Sequence, residues 1–251
     1  DSHSEEAKRL QFHGWSASDV SHYLALREYK QRWGAANLDR EDRLFLRKAE
    51  AILLQAGLGQ RDRKPQRSST RQTSGATIAQ LPAITSSSSF VALDFETANN
   101  ARDSACSLAV IRVESLEVVS RTYRLIRPPS SDFMFTDIHG ITWRDVKSEP
   151  TFKDLWHEFR PLFDGISFIA AHNASFDSSV MKACCNTYGL PSPSAPYLCT
   201  VKLARQTWQL NPANLPSVCS YLGLRLEHHN ALSDAEACAN IVLAAAGSED
   251  K

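Results

Sequence analysis

The chain lacks any apolar run that could cross a membrane. The longest candidate, around residues 241–246, is far shorter than the roughly 20 residues that a membrane-spanning helix needs. No basic and apolar leader of the kind found in secretory signals opens the sequence. We therefore expect a protein without membrane contacts that is located in the cytoplasm.

Paired metal-binding cysteines are also missing. None of the six cysteines has the C-x-x-C spacing of a structural zinc site. Most of them lie in apolar stretches, and Cys184 and Cys185 are neighbours in a helical pattern. We interpret the cysteines as reduced core residues, which fits a reducing, intracellular compartment.

The sequence has no excess of charge of either sign, with 28 basic and 28 acidic side chains. A protein that coats nucleic acid without sequence preference usually carries a basic surface, so the charge balance argues against that class. It does not exclude a protein that contacts only a few terminal nucleotides. With 251 residues and 43% hydrophobic composition, the chain can form one sizeable domain and a small appendage.

The first part of the chain, residues 1–59, predicts a small helical hairpin. Ser16 begins a capping-box pattern before a first helix, and Asp39 can cap a second helix that carries an apolar stripe. Two helices are too few to bury a core alone, so their apolar face should dock on the rest of the chain, on another protein or on a second copy. Trp15 and Trp33 are candidates for docking anchors or for core residues.

Residues 60–88 predict a flexible linker. Five basic residues accompany the single acid Asp62 in this stretch, which is rich in Ser, Thr and Gln and runs into four consecutive serines. Such a composition is typical of a solvated tether. Binding of a phosphate backbone by the basic residues is the alternative.

Residues 89–247 predict one α/β domain. Apolar stretches rich in β-preferring residues predict three consecutive strands, at 90–96, 107–113 and 120–126. Two shorter strands near Phe168 and Tyr197 alternate with helices, and Thr151 can cap an amphipathic helix before them. The pattern indicates a mixed five-stranded sheet with helices on both faces.

An acidic pair lies at the end of the first predicted strand. Asp94 and Glu96 follow the apolar run 90–93, and residues two apart on a strand point to the same face. Two adjacent acids beside a buried run repel each other and lose hydration, and a bound cation would relieve both costs. The alternative is a solvated strand end without a ligand.

A third acid follows the apolar run 167–171. The helical spacing after this run places Asp177 near the first turn of a helix, where Asn173 or Ser175 should be the N-cap. A lone Asp at such a place can simply complement the helix dipole. Asp177 therefore gains a chemical role only if it meets the other acids.

A histidine and a fourth acid lie near the carboxyl end of the sequence. Gly223 should stop a helix at 215–222, and Asp234 should start the next helix. His229 precedes Asp234 on the connection between these helices, so its imidazole can approach a shared site. We interpret the neighbouring His228 as a surface residue.

Four acids and one histidine in this order suit a particular chemistry. Carboxylate oxygens are the ligands that Mg²⁺ and Mn²⁺ prefer, and two such ions held a few ångströms apart can cleave phosphodiester bonds. The histidine adds a proton acceptor that works near neutral pH. The set therefore indicates a metal-dependent phosphodiester hydrolase.

Three segments resemble the motifs of the DEDDh exonucleases, the DnaQ-like group that contains the proofreading epsilon subunits, within the ribonuclease H-like superfamily. They are Asp94-Phe95-Glu96-Thr97, the segment 172–177 and the segment 229–234. Between them, 136–142 is similar to the family's "IHGI" loop and 199–205 to its strand-to-helix segment. The resemblance covers about residues 89–246 and implies a ribonuclease H-like fold.

The resemblance implies a metal-dependent 3′-to-5′ exonuclease. Such an enzyme releases nucleoside monophosphates from a single-stranded or frayed nucleic-acid 3′ end. Asp94, Glu96 and Asp234 would hold a first Mg²⁺ or Mn²⁺, and a second ion would share Asp94 and lie near Asp177. His229 would take a proton from the attacking water.

The resemblance also implies contacts with the terminal nucleotide. The expected substrate-binding residues are Thr97, Ile138, His139, Asn173 and Phe176. Stacking on side chains of this kind accepts every base. Thr97 can equally be an ordinary strand-end residue, and His139 can belong to a turn made by Gly140, with Thr142 capping the next helix.

Two other functions can use the same residues. A module that holds a nucleic-acid end without cutting it is one, although the complete acid set argues against it. A hydrolase of short oligonucleotides is the other. Both DNA and RNA stay open as substrates, because no motif here reads the sugar 2′-hydroxyl.

Overall fold

A computed structural model of the chain describes residues 2–33, 40–55, 82, 84–85 and 87–247. The predicted helix cap Asp39, the side chain of Trp33 and most of the predicted linker lie outside these residues. Three helices come first: α1 (Ser2–Phe12), α2 (Ala17–Trp33) and α3 (Arg40–Gln55). The strands are β1 (Ser89–Thr97), β2 (Ala105–Glu114), β3 (Glu117–Leu125), β4 (Phe168–Ala171) and β5 (Tyr197–Cys199).

Helices surround and connect the later strands. They are α4 (Thr136–His139), α5 (Trp143–Val146), α6 (Phe152–Phe159), α7 (Ser175–Thr187), α8 (Thr200–Trp208), α9 (Leu215–Leu222) and α10 (Ala231–Ala246). A 3₁₀ turn at Arg160–Phe163 extends α6. The order of the strands is the one that the sequence predicts for residues 89–247, and so is the order of the helices apart from the short α4, which lies in the segment expected to be a loop.

The strands form one mixed sheet in the order β3-β2-β1-β4-β5. β1 pairs antiparallel with β2 and parallel with β4. β2 and β3 pair antiparallel, while β4 and β5 pair in parallel. The predicted α/β fold, with a mixed five-stranded sheet and N-terminal helices, is confirmed, and β1 occupies the centre of the sheet.

The central strand β1 is buried on both faces, as parallel-sheet strands with apolar sequences usually are. Phe90 belongs to the core formed with α8, α9 and α10, whereas Leu93 belongs to the core formed with α6 and α7. Side chains alternate along a strand, so Asp94 and Glu96 continue the face of Phe90. Both acids therefore point to the side where α10 packs.

Two helix starts differ from the predictions. α10 begins before Asp234, because the side chain of Asn230 accepts backbone N–H groups of the first turn. α7 has Ala174 as its N-cap without a side-chain hydrogen bond, so neither Asn173 nor Ser175 caps this helix. Asn173 instead adopts a left-handed backbone conformation, with φ 72°, in the turn between β4 and α7.

The N-terminal part contains one helix more than the predicted hairpin. The sequence does not predict α1, which has few apolar residues, yet its Leu10 is fully buried. Three helices enclose an apolar cluster that two could not: Leu10, Val20, Tyr23, Leu26, Leu46, Ala49 and Leu53. Trp15 packs beside Phe45 in this cluster, with 4.8 Å between ring centroids. We call α1, α2 and α3 the N-terminal unit.

Several predictions from local patterns are confirmed. Thr151 caps α6 in a capping box with Asp154, and Gly223 ends α9 in a left-handed conformation. All six cysteines are free thiols, and five of them are buried.

Among the helices that the structure describes, none combines the length and the apolar character needed to traverse a bilayer.

Candidate active site

The site residues predicted from the sequence converge on a cavity. It lies at the carboxyl ends of β1 and β4, beside the first turns of α7 and α10. All ten residues line it: Asp94, Glu96, Thr97, Ile138, His139, Asn173, Phe176, Asp177, His229 and Asp234. The fold thus brings together segments that are far apart in sequence, while the role of each residue is still a prediction.

Three carboxylates form a compact cluster in this cavity. One oxygen from each of Asp94, Glu96 and Asp234 lies within 4.8 Å of the others. Asp94 and Glu96 come from β1, whereas Asp234 comes from the first turn of α10, which packs against β1. Three carboxylate oxygens at this spacing are the donor set that a hard divalent cation prefers.

Asp234 uses its two carboxylate oxygens differently. Oδ2 accepts hydrogen bonds from the ring of His228 at 3.0 Å and from the backbone N–H of His229 at 3.2 Å. Oδ1 is buried and has no hydrogen-bond partner among the described residues. A buried oxygen without a partner is unfavourable, and a cation held by the cluster would satisfy it. The residues present therefore fit a metal ion.

Asp177 adds a fourth carboxylate from the first turn of α7. The residue is 1% exposed, and its Oδ1 accepts a hydrogen bond from the N–H of Phe95 at 3.3 Å. Burial raises the pKa of Asp177 to about 8, although this hydrogen bond opposes the shift. These surroundings therefore favour the neutral carboxyl group, whereas a nearby cation would favour its charged form.

The two acids of β1 experience the same effects. Burial is the main cause that raises the pKa of Asp94 well above its ordinary value, and the charges of the three neighbouring acids add to it. The pKa of Glu96 is also raised well above its ordinary value, by burial first and then by Asp234 and Asp177. A divalent cation among these oxygens would reverse the shifts, because it favours the charged carboxylates.

The interpretation of His228 as a surface residue is wrong. Its side chain is only 20% exposed and donates a hydrogen bond to Asp234. The rings of His228 and His229 stack, with 3.9 Å between their centroids, and both line the cavity. His229 has a left-handed backbone conformation, with φ 66°, in the turn that precedes α10. This geometry arises from the folded turn and leaves no signal in the local sequence.

His139 is held between β1 and the turn after α4. Its Nδ1 accepts the N–H of Ile141 at 3.0 Å, so Nε2 carries the proton and donates to the carbonyl oxygen of Thr97 at 3.1 Å. Burial lowers the pKa of His139 to about 4, because the protein replaces the water that would stabilise an imidazolium. Gly140 closes the turn with φ 78°, as expected, while His139 lines the cavity.

Part of the cavity wall was not among the predicted site residues. The additional lining residues include Phe135, Val201, Asn214, Leu215 and His228. Arg102 lies over the ring of Phe176 at 5.3 Å, and its positive charge opposes the rise in the pKa of Asp177. Arg102 lies in the connection between β1 and β2, where no local pattern marks it, so only the folded chain identifies it.

A family comparison assigns the class of protein. The family model of exonucleases called RNase_T matches residues 91–242, which is more than half of the chain. The chain therefore belongs to this exonuclease family. The matched region contains the four acids and both histidines of the cavity turn.

Curated relatives share the same region. The chain is 29% identical over 158 residues to the PolC-type DNA polymerase III of Thermotoga maritima, and 30% identical over 158 residues to that of Clostridium perfringens. Each alignment covers 61% of this chain but only 12% and 11%, respectively, of the polymerase. The chain thus corresponds to a small part of these large proteins.

Solved structures share the fold. Exonuclease X in complex with 5′ overhanging duplex DNA is 25% identical with a TM-score of 0.53, covering 64% of this chain and 93% of that chain. E. coli exonuclease I in complex with a dT13 oligonucleotide has a TM-score of 0.56 at 17% identity, covering 65% of this chain and 42% of that chain. The domain therefore has the ribonuclease H-like fold of these exonucleases.

Asp94→Asn should stabilise the metal-free protein. The amide keeps nearly the same shape and is neutral at every pH, so it avoids the cost of placing an ionisable group in this buried, acid-rich cavity. In chelator we expect the midpoint of thermal unfolding to rise by on the order of 2 °C, as measured by calorimetry. Mg²⁺ or Mn²⁺ should raise the midpoint of the wild type and have little effect on the variant.

The exposed acid Glu117 provides the control for this prediction. Glu117 lies at the hairpin between β2 and β3, so Glu117→Gln should respond to chelator and to metal as the wild type does. A wild-type protein whose unfolding midpoint ignores both ions would contradict a metal site at the cluster.

His139 should make the stability of the fold dependent on pH. In the unfolded chain its imidazole binds a proton near pH 6.5, whereas in the folded protein it stays neutral down to about pH 4. The stability contributed by the neutral ring is therefore present above about pH 6.5 and is lost as the pH falls toward 4. Urea unfolding in chelator should show a smaller loss between pH 7 and pH 4.5 for His139→Gln than for the wild type. Equal losses would show that this ring does not titrate as described.

Proposed function

We propose that the protein is a 3′-to-5′ exonuclease that hydrolyses phosphodiester bonds at nucleic-acid 3′ ends with two bound divalent cations. The observation that carries the proposal is the cluster of Asp94, Glu96 and Asp234, in which the buried Oδ1 of Asp234 finds no hydrogen-bond partner within the described ranges of the chain. Membership of the exonuclease family supports the class of reaction. The 3′-to-5′ polarity rests on the resemblance to the DEDDh motifs.

In this proposal Asp94, Glu96 and Asp234 would hold the first Mg²⁺ or Mn²⁺, and a second ion would share Asp94 and lie near Asp177. Bound ions of this kind act as Lewis acids, lower the pKa of water and stabilise negative charge on phosphate oxygens. The protein contributes the orientation of the ligands. The N–H of Phe95 donates a hydrogen bond that orients Asp177. The ring of His228 and the backbone N–H of His229 orient Asp234 in the same way.

His229 is the general base in this proposal. Its backbone N–H is bonded to Asp234, and its imidazole stacks on His228, so the ring is held beside the carboxylates. An imidazole can accept a proton from water near neutral pH. The water oxygen then attacks the phosphorus of the terminal phosphodiester, and the bond from that phosphorus to the 3′-oxygen of the preceding nucleotide breaks. The 3′-oxygen takes up a proton from solvent to become a hydroxyl, and a nucleoside 5′-monophosphate leaves.

The terminal nucleotide of a single-stranded or frayed end is proposed to lie in the cavity. The residues assigned to contact it are Thr97, Ile138, His139, Asn173 and Phe176, which line the cavity around the end of β1. Apolar and aromatic contacts of this kind can bind any base. The shared fold of exonuclease X, solved with overhanging duplex DNA, supports a nucleic-acid end as the substrate.

We also propose the organisation and location of the chain. We assign residues 1–59 to the N-terminal helical part and residues 89–247 to the exonuclease domain, joined by the basic segment 60–88, most of which lies outside the described residues. The six free thiols fit a reducing compartment such as the cytoplasm.

Digestion of end-labelled nucleic acid should test the reaction. With Mg²⁺ or Mn²⁺, the wild type should shorten 5′-labelled single strands from the 3′ end and release nucleoside monophosphates, and chelator should stop the reaction. Asp94→Ala should abolish release, because it removes the carboxylate that would serve both ions in this proposal, while the exposed-acid control Glu117→Gln should not. DNA, RNA and duplex substrates should be compared side by side.

The other outcomes of this digestion have clear meanings. Near-normal turnover by Asp94→Ala would contradict the assignment of the site. Binding of a nucleic-acid end without metal-dependent cleavage would favour the non-cleaving module. Cleavage restricted to dinucleotides and other short fragments would favour the oligonucleotide hydrolase.

Substitutions of the two stacked histidines should separate their roles. His229→Ala should slow cleavage by about 10²- to 10⁴-fold, the usual contribution of a general base, without loss of metal affinity measured by calorimetry. His228→Ala should slow cleavage less, because it removes groups that orient Asp234 and the ring of His229 but leaves the proton acceptor itself in place. A silent His229→Ala together with an inactive His228→Ala would identify His228 as the base instead.

A further inference from the structure

The part of the cavity wall that α4 forms has little structure of its own. α4 has four residues, none of them buried, and its N-cap Phe135 makes no side-chain capping hydrogen bond. Ile138 and His139 at the end of α4 nevertheless line the cavity. Contacts with other parts of the chain must therefore hold this wall in position.

Different neighbours hold the two sides of α4. His139 is tied to the carbonyl oxygen of Thr97 and to the N–H of Ile141, and the residues just before α4 donate backbone hydrogen bonds to Ala98. These bonds fix the side that faces β1. Ile138 instead packs against the apolar cluster of the N-terminal unit, whose helix α2 makes the main contact with α4.

The N-terminal unit has the internal bonds expected of a support. Leu26 of α2 is fully buried among apolar side chains from all three helices. Lys30 of α2 pairs with Glu50 of α3 at 2.9 Å, and Arg27 of α2 pairs with Glu6 of α1. α2 is therefore connected to both of its neighbours and offers Ile138 a defined surface.

We propose that the N-terminal unit is a functional part of the substrate site, because it positions Ile138 against the terminal nucleotide of the bound nucleic acid. This inference rests on the proposed exonuclease function. The carboxylates reach the cavity from β1, α7 and α10, which the unit does not carry. The unit should therefore govern the binding of the nucleic-acid end and leave the hydrolytic chemistry unchanged.

The expected effect on substrate binding follows from the position of Ile138, which packs against the N-terminal unit and also lines the cavity. A loosened N-terminal unit takes away the side chains that Ile138 packs against, so Ile138 and α4 gain freedom. Substrate binding must then order this segment, and that ordering weakens binding. The KM for nucleic acid should rise, whereas the rate constant for a substrate that does not reach the wall should stay the same.

The test compares two substrates on full-length variants. Leu26→Ala removes a fully buried side chain of α2 and should loosen the unit, and Leu54→Ala, at a residue 43% exposed on α3, is the matched control. A single-stranded oligonucleotide meets the wall, whereas bis(p-nitrophenyl) phosphate has neither base nor sugar. Leu26→Ala should raise the KM for the oligonucleotide about 10-fold, the scale of one lost base contact. Hydrolysis of the small ester, and both activities of Leu54→Ala, should match the wild type.

Combination with Ile138→Ala identifies the route of the effect. Ile138→Ala alone should raise the KM for the oligonucleotide. Adding Leu26→Ala should change this KM little further, because both substitutions act on the same contact, that of Ile138 with the terminal nucleotide. If Leu26→Ala does not fold, Leu53→Ala replaces it, since Leu53 of α3 belongs to the same cluster.

Each remaining outcome contradicts either the role of the N-terminal unit or the proposed exonuclease function. An unchanged oligonucleotide KM in a variant whose unfolding curve shows a loosened unit overturns the inference, as do fully additive effects of Leu26→Ala and Ile138→Ala. An equal loss of activity on both substrates also overturns it, because that result indicates general destabilisation. A wild-type protein that hydrolyses neither substrate with Mg²⁺ or Mn²⁺ overturns the proposed function itself, and the inference with it.

Discussion

Electrostatic repulsion among enclosed carboxylates is the interaction on which the rest of this structure depends. Asp94, Glu96 and Asp234 bring oxygens within 4.8 Å of one another, and Asp177 is buried in the same cavity. Such a cluster loses hydration and gains repulsion together. The fold tolerates it because β1, which carries two of the acids, is packed between two apolar cores. A bound cation would lower the free energy of the cluster, and it would thereby link the stability of the centre of the fold to its chemistry.

Two local rules of backbone structure place the acids around this centre. Alternation along β1 sends Asp94 and Glu96 to the same face. Asp177 and Asp234 lie in the first turns of α7 and α10, where the helix dipole favours negative charge. The dipole interpretation of Asp177 and its proposed metal role are therefore compatible, since both need a carboxylate at a helix start. Oδ1 of Asp234 is a buried carboxylate oxygen at a helix start, and it has no hydrogen-bond partner in the described part of the chain.

Some residues of the site are marked by motifs in the sequence, whereas others reach the site through contacts that no local motif indicates. The acids and His229 can be found in the sequence because short motifs and strand or helix periodicity mark them. His228 cannot be assigned in the same way, because its hydrogen bond to Asp234 depends on the turn that stacks it on His229. α1 is missed for a related reason, since a helix with few apolar residues is stabilised by the one, Leu10, that its neighbours bury.

Residue periodicity and short motifs are enough to predict the mixed five-stranded sheet, most of its helices and the set of acids with a histidine. These features depend on side chains within a few positions of one another, and such relations can be read along the chain. Three features depend instead on contacts between segments far apart: the meeting of ten site residues in a cavity, the oxygen of Asp234 left available to a cation, and the packing of Ile138 on the N-terminal unit. Long-range packing and burial create these contacts, and no local pattern of residues specifies them.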